Sequence, residues 1–178
     1  MIKLIILDVD GVLTDGRKYY DRHGEVKLKT FCDKDWTAIK RFRALGINVI
    51  FLTGDPFNVS IATNRNIDVI VNRQDGVHRD KSDYLPEICE EYGVKPEEIV
   101  FVGDDIFDLK LLKKVKYFYC PSDAPAELLK HCRVLNNKGG NNLVMELFDH
   151  LEFEDHLPKF NLEDHLSDVY DLDLKEKF

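Results

Sequence analysis

The stretch MIKLIILDVDGVLTDG, residues 1–16, places three aspartates directly behind an apolar run. The segment IKLIILDV, bounded by a glycine, is typical of a β-strand that is buried on both faces. Asp8, Asp10 and Asp15 lie beside this strand, although carboxylates next to a core repel one another and are costly to desolvate. A cation close to these residues would offset that cost.

The composition indicates a globular domain with an acidic surface. The chain has 178 residues, enough for one domain with a sizeable core, and it is 44% hydrophobic and 33% charged. Its formal net charge of -8 argues against a nucleic-acid partner, which would favour a basic face. An anionic substrate would gain no attraction from the overall field, so any attraction must be local.

Cysteine usage and apolar run lengths predict a cytoplasmic protein with no membrane partner. No apolar run approaches the ~20 residues that span a bilayer, and the stretch from Leu4 to Leu7 is too short for a signal peptide. The cysteines do not form a C-x-x-C pair, and we expect free thiols in a reducing compartment. They are Cys32, Cys89, Cys120 and Cys132.

Strand-like runs alternate with helical patterns along the first 150 residues. Strands are predicted over residues 2–9, 47–54, 68–72, 97–105, 117–120 and 133–136, and helices over 33–46, 58–66, 81–93, 106–115, 125–132 and 141–151. Glycine-rich turns and alternating Tyr, Val and Leu predict a β-hairpin over 10–31. This order predicts an α/β fold: a three-layer, Rossmann-like, mainly parallel sheet with a β-hairpin flap.

The last part of the chain has a different character. Residues 151–178 are acidic, with interspersed apolar residues, and do not follow the strand–helix rhythm. We therefore expect one α/β domain over 1–150 and an acidic C-terminal extension over 151–178. The extension is expected to pack on the body or on a neighbouring subunit.

Polar residues follow three of the predicted strands at one edge of the sheet. Asp8 ends the first strand, Thr53 the second, and Asp104 and Asp105 the fourth. Sheets of this kind bind ligands at the carboxyl ends of their strands. Several carboxylates at one edge indicate a hard divalent cation, because Mg2+ prefers oxygen ligands. Asp8 and Asp104 are the expected side-chain ligands.

An aspartate whose charge is offset by a cation can act as a nucleophile and form an aspartyl phosphate. We expect Asp8 to attack phosphorus, and Asp10 to give a proton to the leaving oxygen and later take one from water. The hydroxyl of Thr53 and the ammonium of Lys81 would hold phosphoryl oxygens. Gly11 allows a tight turn, so that backbone N–H groups can add to this cradle.

Four motifs occur in order: DVDGVLTDG (8–16), FLTGD (51–55), RDKSDYL (79–85) and VGDDIFDL (102–109). Together they resemble the motifs of the haloacid dehalogenase superfamily of phosphatases. The resemblance implies four catalytic residues, Asp8, Asp10, Thr53 and Lys81. The magnesium ligands that it implies are Asp8, Asp10 and Asp104. The supporting residues are Asp105, Asp108 and Gly54, although one of the two aspartates could simply cap a helix that begins near Ile106.

Residues 1–150 further resemble the 3-deoxy-D-manno-octulosonate 8-phosphate phosphatase subfamily, which includes relatives acting on nine-carbon sugar acid 9-phosphates. The resemblance rests on segments 10–25, 103–115 and 121–125, and on Gly139-Gly140 with Met145-Glu146. It implies a homotetramer without a large cap, in which a hairpin and a C-terminal segment of neighbouring chains shape the site. The gaps of 45 positions from Asp8 to Thr53 and 28 from Thr53 to Lys81 likewise leave no room for a large cap domain.

Some positions depart from the subfamily's pattern. After LTG the octulosonate phosphatases usually carry Arg, whereas this chain has Asp55, an acid that the nine-carbon relatives can carry. An Arg-Glu pair after the glycines appears as Met145-Glu146, and a Gly-Ile pair appears as Ala38-Ile39. Two basic positions that should bind an acidic sugar are therefore missing. The KGGNN stretch, 138–142, is either a substrate-contacting segment or only a loop.

These observations predict a Mg2+-dependent phosphomonoesterase that acts on a small phosphorylated sugar, such as a keto-deoxy sugar acid phosphate. Two alternatives stay open: a phosphatase for a nucleotide or a phosphoprotein, and a catalytically silent regulatory subunit of the same fold. A response-regulator receiver also uses Asp, Thr and Lys, but its phosphorylated Asp ends the third strand. Here that strand ends with Asn72, which argues against a receiver.

Overall fold

The computed structural model describes residues 1–74 and 76–177, and its centre is a parallel sheet of six strands. The strands of the chain are β1 Leu4–Leu7, β2 Tyr19–Tyr20, β3 Val26–Leu28, β4 Asn48–Thr53, β5 Asp68–Val71, β6 Arg73–Gln74, β7 Val77–His78, β8 Ile99–Val102, β9 Tyr117–Cys120 and β10 Arg133–Val134. The order across the sheet is β10-β9-β8-β1-β4-β5. Two small antiparallel hairpins, β2–β3 and β6–β7, lie outside it.

Seven helices accompany these strands within the described residues. They are α1 Asp33–Ala44, α2 Asn58–Asn64, α3 Leu85–Tyr92, α4 Leu109–Leu112, α5 Ala126–Leu129, α6 Leu143–Phe153 and α7 Leu162–Asp173. Short 3-10 turns cover Lys81–Asp83, Pro96–Glu98 and Ile106–Asp108. The predicted three-layer α/β fold with a hairpin and no large cap is confirmed. No helix in the described part of the chain is long and apolar enough to cross a bilayer.

Strand β1 lies in the middle of the sheet because all four of its side chains are apolar and buried. It pairs in parallel with β4 on one side and with β8 on the other. Ile5 and Leu7 pack into one apolar cluster with residues of α1 and α6, and Leu4 and Ile6 pack into a second cluster on the other face with residues of α3. This burial on both faces fixes the end of β1, where Asp8 begins the loop, in the centre of the molecule.

Helix α4 is shorter than the sequence predicts. The pattern predicts one helix over 106–115, but the structure has a 3-10 turn followed by a single helical turn that ends at Leu112. The Asp105 carboxylate accepts a hydrogen bond from the backbone N–H of Ile106, and the Asp108 carboxylate accepts one from the N–H of Asp105. These side-chain contacts compete with a regular helical first turn.

The expectation of four free thiols is wrong for two of the cysteines. Cys120 at the end of β9 and Cys132 just before β10 form a disulfide, with Cα atoms 6.3 Å apart, whereas Cys32 and Cys89 are free. The parallel pairing of β9 with β10 brings the two bonded residues together. Sequence spacing alone does not show this, because the pairing depends on the position of the edge strand.

The C-terminal extension packs on the body, through a helix that the strand–helix pattern did not predict. The Asn161 side chain caps α7 by accepting hydrogen bonds from the N–H groups of its first turn. Helix α7 lies against α1, where the Lys40 ammonium is 2.5 Å from Asp173 and 3.5 Å from Glu176. Glu176 also pairs with Arg65 at 2.6 Å. These ion pairs join the extension to the first and second helices.

Asp35 connects α1 to α6. One of its carboxylate oxygens accepts hydrogen bonds from the backbone N–H groups of Val144, at 2.8 Å, and Met145, at 3.2 Å. Burial nevertheless raises the pKa of Asp35 to about 6, against the effect of these hydrogen bonds. The folded state therefore holds the proton more tightly than the unfolded chain, and folding stability falls as pH rises from about 4 to about 6.

We expect Asp35→Asn to be more stable than the wild type at neutral pH, because an amide oxygen can still accept both hydrogen bonds without carrying a charge. The gain in the free energy of unfolding should be small near pH 4 and reach roughly 3 kcal/mol at pH 7, since each pKa unit corresponds to about 1.4 kcal/mol. Urea denaturation at both pH values measures it. Asp33→Asn, at an exposed position in the same turn, is the control. A difference from wild type that does not change with pH would contradict the prediction.

Candidate active site

A tight loop after β1 forms the floor of the site. The N–H groups of Leu13 and Thr14 donate hydrogen bonds to the carbonyl of Val9, at 2.9 and 3.1 Å, so the chain reverses direction directly after the strand. Gly11 has φ +84°, and a Cβ atom there would lie 1.9 Å from an oxygen of Asp104. Glycine at position 11 is therefore needed both for the turn and for the approach of the Asp104 carboxylate.

Three carboxylates and one ammonium group meet at this floor. Oxygen atoms of Asp8, Asp104 and Asp108 lie within 4.8 Å of one another. The Lys81 ammonium, which lies in the 3-10 turn before α3, is 2.5 Å from Asp8 and 2.9 Å from Asp108. Asp8, Lys81 and Asp108 are buried and Asp104 is half-buried. The ends of β1 and β8 and the turn at Lys81 thus converge on one small volume.

Burial and mutual repulsion shift the pKa values of the side chains in this cluster. Burial raises the pKa of Asp8 to about 6, although the nearby Lys81 ammonium acts in the opposite direction. Burial, together with the charges of Asp8 and Asp108, raises the pKa of Asp104 to about 8. Burial alone would lower the pKa of Lys81, but the attraction of Asp8 and Asp108 outweighs it and the net shift is upward. The single ammonium group does not offset all three carboxylates.

The cluster fits a divalent cation. Three ionised carboxylates with one ammonium leave two negative charges in a buried place, and a divalent ion would offset both. Carboxylate oxygens are the ligands that Mg2+ prefers. Lys81 is the ammonium that contacts Asp8 and Asp108, and no described ammonium pairs with Asp104.

The carboxylate of Asp10, a predicted metal ligand, is not among the three that gather around Lys81. Its carboxylate lies 2.6 Å from the Lys29 ammonium, and the Asn58 amide donates to it at 3.1 Å. Lys29 comes from the strand β3 side of the hairpin, has no exposed side-chain surface and also contacts Asp55 at 2.9 Å. Lys29, whose side chain is fully buried, therefore fixes the Asp10 carboxylate through an ion pair.

Thr53 lies at the end of β4 and is fully buried. Its hydroxyl oxygen accepts hydrogen bonds from the Asn58 amide, at 2.8 Å, and from the backbone N–H of Asp55, at 3.2 Å. The next residue, Gly54, lines the cleft above the site. The Asp105 carboxylate accepts a hydrogen bond from the N–H of Ile106 and caps the 3-10 turn that begins there. A capping role near Ile106 is one of the two predictions for this pair of aspartates.

The glycine pair at 139–140 supports the loop that follows β1. The Gly140 N–H donates to the Val12 carbonyl at 2.8 Å. A Cβ atom at Gly139 would lie 1.9 Å from the carbonyl oxygen of Gly11. The KGGNN stretch is thus packed on the backbone of the Asp8–Asp10 loop. This contact explains the two glycines without any contact to a substrate.

A cleft of about 750 Å3 opens above the cluster. Its lining includes Asp8, Asp10, Lys81 and Asp104, and also five residues that sequence reasoning did not single out as part of a site. These are Asn72, Arg73, His78, Phe107 and Lys110. Arg73 and His78 belong to the β6–β7 hairpin. The Asp-Gly pair at 75–76 was the sequence signal for it, because this dipeptide favours a tight hairpin turn.

Comparisons with known proteins agree with this geometry. A family model for haloacid dehalogenase-like hydrolases matches residues 28–116. The 3-deoxy-D-manno-octulosonate 8-phosphate phosphatase KdsC of Haemophilus influenzae is 31% identical over 149 residues, which are 83% of this chain and 81% of that protein. The KdsC of Salmonella typhi is 32% identical over 150 residues, 83% of this chain and 78% of that protein.

Two solved structures are similar over most of their length. The cobalt-bound deoxy-D-mannose-octulosonate 8-phosphate phosphatase of Haemophilus influenzae has a TM-score of 0.77 and 30% identity, covering 86% of this chain and 90% of that chain. The 3-deoxy-D-manno-octulosonate 8-phosphate phosphatase of Moraxella catarrhalis, in complex with magnesium, phosphate and KDO, has a TM-score of 0.75 and 26% identity. It covers 85% of this chain and 86% of that chain.

We expect Gly139→Ala to distort the loop that carries Asp8 and Asp10, because the new methyl group would overlap the Gly11 carbonyl. The free energy of unfolding should fall by about 1–3 kcal/mol or more, the usual range for overpacking. Thermal unfolding measures it. Gly24→Ala is the control, since φ is +80° there but the space is open, so it tests backbone strain alone. Equal losses in the two variants would contradict the steric explanation.

Proposed function

The chain belongs to the haloacid dehalogenase-like hydrolases and is a phosphatase, and we propose that it hydrolyses a small phosphorylated sugar acid through a phosphorylated Asp8. One observation carries the proposal: the buried Asp8 carboxylate lies at the floor of an open cleft, 2.5 Å from the Lys81 ammonium. Asp10 is two residues further on and is held by Lys29. A nucleophile, an acid–base group and a fixed cation therefore line the same cleft.

The relatives support the class of substrate. Curated relatives with about 30% identity are phosphatases named for 3-deoxy-D-manno-octulosonate 8-phosphate, and this chain covers about four fifths of their length. The similar structure from Moraxella catarrhalis was solved with phosphate and KDO. We propose a substrate of the same kind, a phosphorylated keto-deoxy sugar acid of eight or nine carbons.

In the proposed first step, a carboxylate oxygen of Asp8 attacks phosphorus and the bond from phosphorus to the sugar oxygen breaks. Asp10 gives its proton to that leaving oxygen. In the second step Asp10 takes a proton from water, the water oxygen attacks phosphorus, and the bond to Asp8 breaks. Lys81 and the hydroxyl of Thr53 hold the phosphoryl oxygens, and Lys81 keeps Asp8 in line with phosphorus.

The residues that would hold magnesium are Asp8, Asp104 and Asp108. When bound, the ion supplies positive charge that stabilises the phosphoryl oxygens. Gly11 and Gly103 give these carboxylates room, because a Cβ atom at Gly103 would lie 2.3 Å from an oxygen of Asp108. The chain's own contribution is therefore a rigid, desolvated set of oxygen ligands around the nucleophile.

We also propose a homotetramer, as the subfamily resemblance implies, and the cytoplasmic location that the sequence predicts. The β2–β3 hairpin presents Tyr19 and Tyr20 with more than half of their surface exposed. Exposed aromatic side chains of this kind are common at contacts between subunits. Sedimentation of the purified protein would test the assembly.

We expect Asp8→Asn to abolish phosphate release and to leave substrate binding intact, because an amide cannot form the phosphorylated intermediate. Phosphate release from sugar phosphates, nucleotides and a phosphopeptide, with and without Mg2+, is the measurement. Asp15→Asn, on the same loop but outside the cleft lining, is the matched control. Turnover near the wild-type rate in Asp8→Asn would refute the nucleophile. Activity confined to nucleotides or the phosphopeptide, or no activity, would favour the alternatives.

We expect Lys29→Met to lower kcat by about 10- to 100-fold with a smaller change in KM, since Asp10 and Asp55 would lose the cation between them and Asp10 would shift. Lys29→Arg should recover part of the rate. Lys27→Met, two residues earlier in strand β3 and half exposed, is the control. Steady-state kinetics on the sugar phosphate measure the effect. A kcat within twofold of wild type would show that Lys29 does not position Asp10.

A further inference from the structure

This chain is acidic overall, so a sugar acid would need a cation inside the cleft to bind its carboxylate. The arginine expected at position 55 is absent. The carboxylate of Asp55, which stands at this position, is paired with two lysines. Lys18 lies 2.6 Å and Lys29 2.9 Å from the same oxygen. Burial would raise the pKa of Asp55, but the hydrogen bonds from these lysines outweigh it and lower the pKa to about 2. The Asp55 carboxylate is therefore ionised and holds both lysines, so neither lysine is free to replace the missing arginine.

Arg73 lies directly beside this position. It begins the β6–β7 hairpin, and its side chain extends over Gly54, the residue that precedes Asp55. A Cβ atom at Gly54 would lie 3.2 Å from Cδ and 3.3 Å from Nε of Arg73. Both Gly54 and Arg73 line the cleft. The absence of a side chain at position 54 thus provides the space that the Arg73 side chain occupies.

The guanidinium group of Arg73 is oriented by the residues around it. Its Nε donates a hydrogen bond to Nε2 of His78 at 3.2 Å, across the hairpin. Its central carbon lies 5.3 Å from the ring centre of Phe107, and the His78 ring contacts the same phenylalanine at 6.3 Å. Cation–π contact and the hydrogen bond restrict the side chain on two sides.

Among the described residues, the outer edge of the same group has no hydrogen-bond or ion-pair partner. No described residue accepts a hydrogen bond from the two Nη atoms, and no described carboxylate pairs with Arg73. A planar guanidinium with free N–H groups binds a carboxylate through two parallel hydrogen bonds. Arg73 is therefore the cation in this part of the cleft that remains available to an anionic ligand.

We propose that Arg73 binds the carboxylate of the substrate's sugar acid, in the role that an arginine at position 55 would otherwise have. The inference rests on the proposed function, because it assumes that the substrate carries a carboxylate besides its phosphate. It makes the β6–β7 hairpin a specificity element, while Asp8, Asp10 and Lys81 carry out the chemistry. It also explains how an acidic chain attracts an acidic sugar, through one local cation.

The test compares acidic and neutral sugar phosphates: 3-deoxy-D-manno-octulosonate 8-phosphate with arabinose 5-phosphate, and 6-phosphogluconate with glucose 6-phosphate. Arg73→Ala should lower kcat/KM for the acids by about 10- to 100-fold, mostly through KM, because a hydrogen-bonded charge pair is lost. The neutral sugars should change by less than about twofold. Arg73→Lys should recover part of the loss, since it keeps the charge but not the paired geometry. Arg133→Ala, a half-exposed arginine on the edge strand β10 and outside the cleft lining, is the matched control.

Binding of 3-deoxy-D-manno-octulosonate, which has the carboxylate but no phosphate, gives a readout that does not depend on turnover. Calorimetry should show tighter binding to the wild type than to Arg73→Ala. Equal affinity, or equal losses for acidic and neutral substrates, would overturn the role of Arg73 and leave the phosphatase proposal standing. Failure of the wild type to release phosphate from any sugar phosphate would overturn the proposed function itself, and the calorimetry would still decide on Arg73.

Discussion

The contact of the Lys81 ammonium with the carboxylates of Asp8 and Asp108 is the interaction on which the rest of the site depends. It joins segments that lie far apart in the chain: the end of the central strand β1, the turn before α3 and the turn after β8. Buried charges are tolerated only when they are paired and well placed. Gly11 and Gly103 lack side chains that would displace the neighbouring carboxylates of Asp104 and Asp108.

The positions of Asp8, Thr53 and Asp104 could be predicted from the sequence, because each follows an apolar run that could only be a buried parallel strand. Parallel strands bring their carboxyl ends to one edge, so the order of the strands was not needed to place these residues together. Motif resemblance then added Lys81, which no periodic pattern marks. The contact of Asp108 with Lys81 was less visible, since it depends on a 3-10 turn where the sequence pattern indicates a helix.

Other features of the fold depend on contacts between segments that are distant in the chain, and the sequence pattern does not predict them. The pairing of Cys120 with Cys132 follows from the place of β10 at the edge of the sheet. Helix α7 is only partly amphipathic. Its Asp173, and Glu176 just after it, pair with Lys40 and Arg65, which lie more than 100 residues earlier in the chain. The β6–β7 hairpin has strands of only two residues, too short for an alternating pattern.

The β6–β7 hairpin lies outside the main sheet, so the proposed choice of substrate and the packing of the core depend on different segments. The strands that end at Asp8, Thr53 and Asp104 are shared by both apolar clusters, so a change in their length or register would disturb the whole interior. The described strand residues of the β6–β7 hairpin belong to neither cluster, and their side chains are exposed. The packing of the folded body therefore does not depend on these side chains. Descendants of this chain could thus diverge in the molecules they accept while the inherited reaction stays the same.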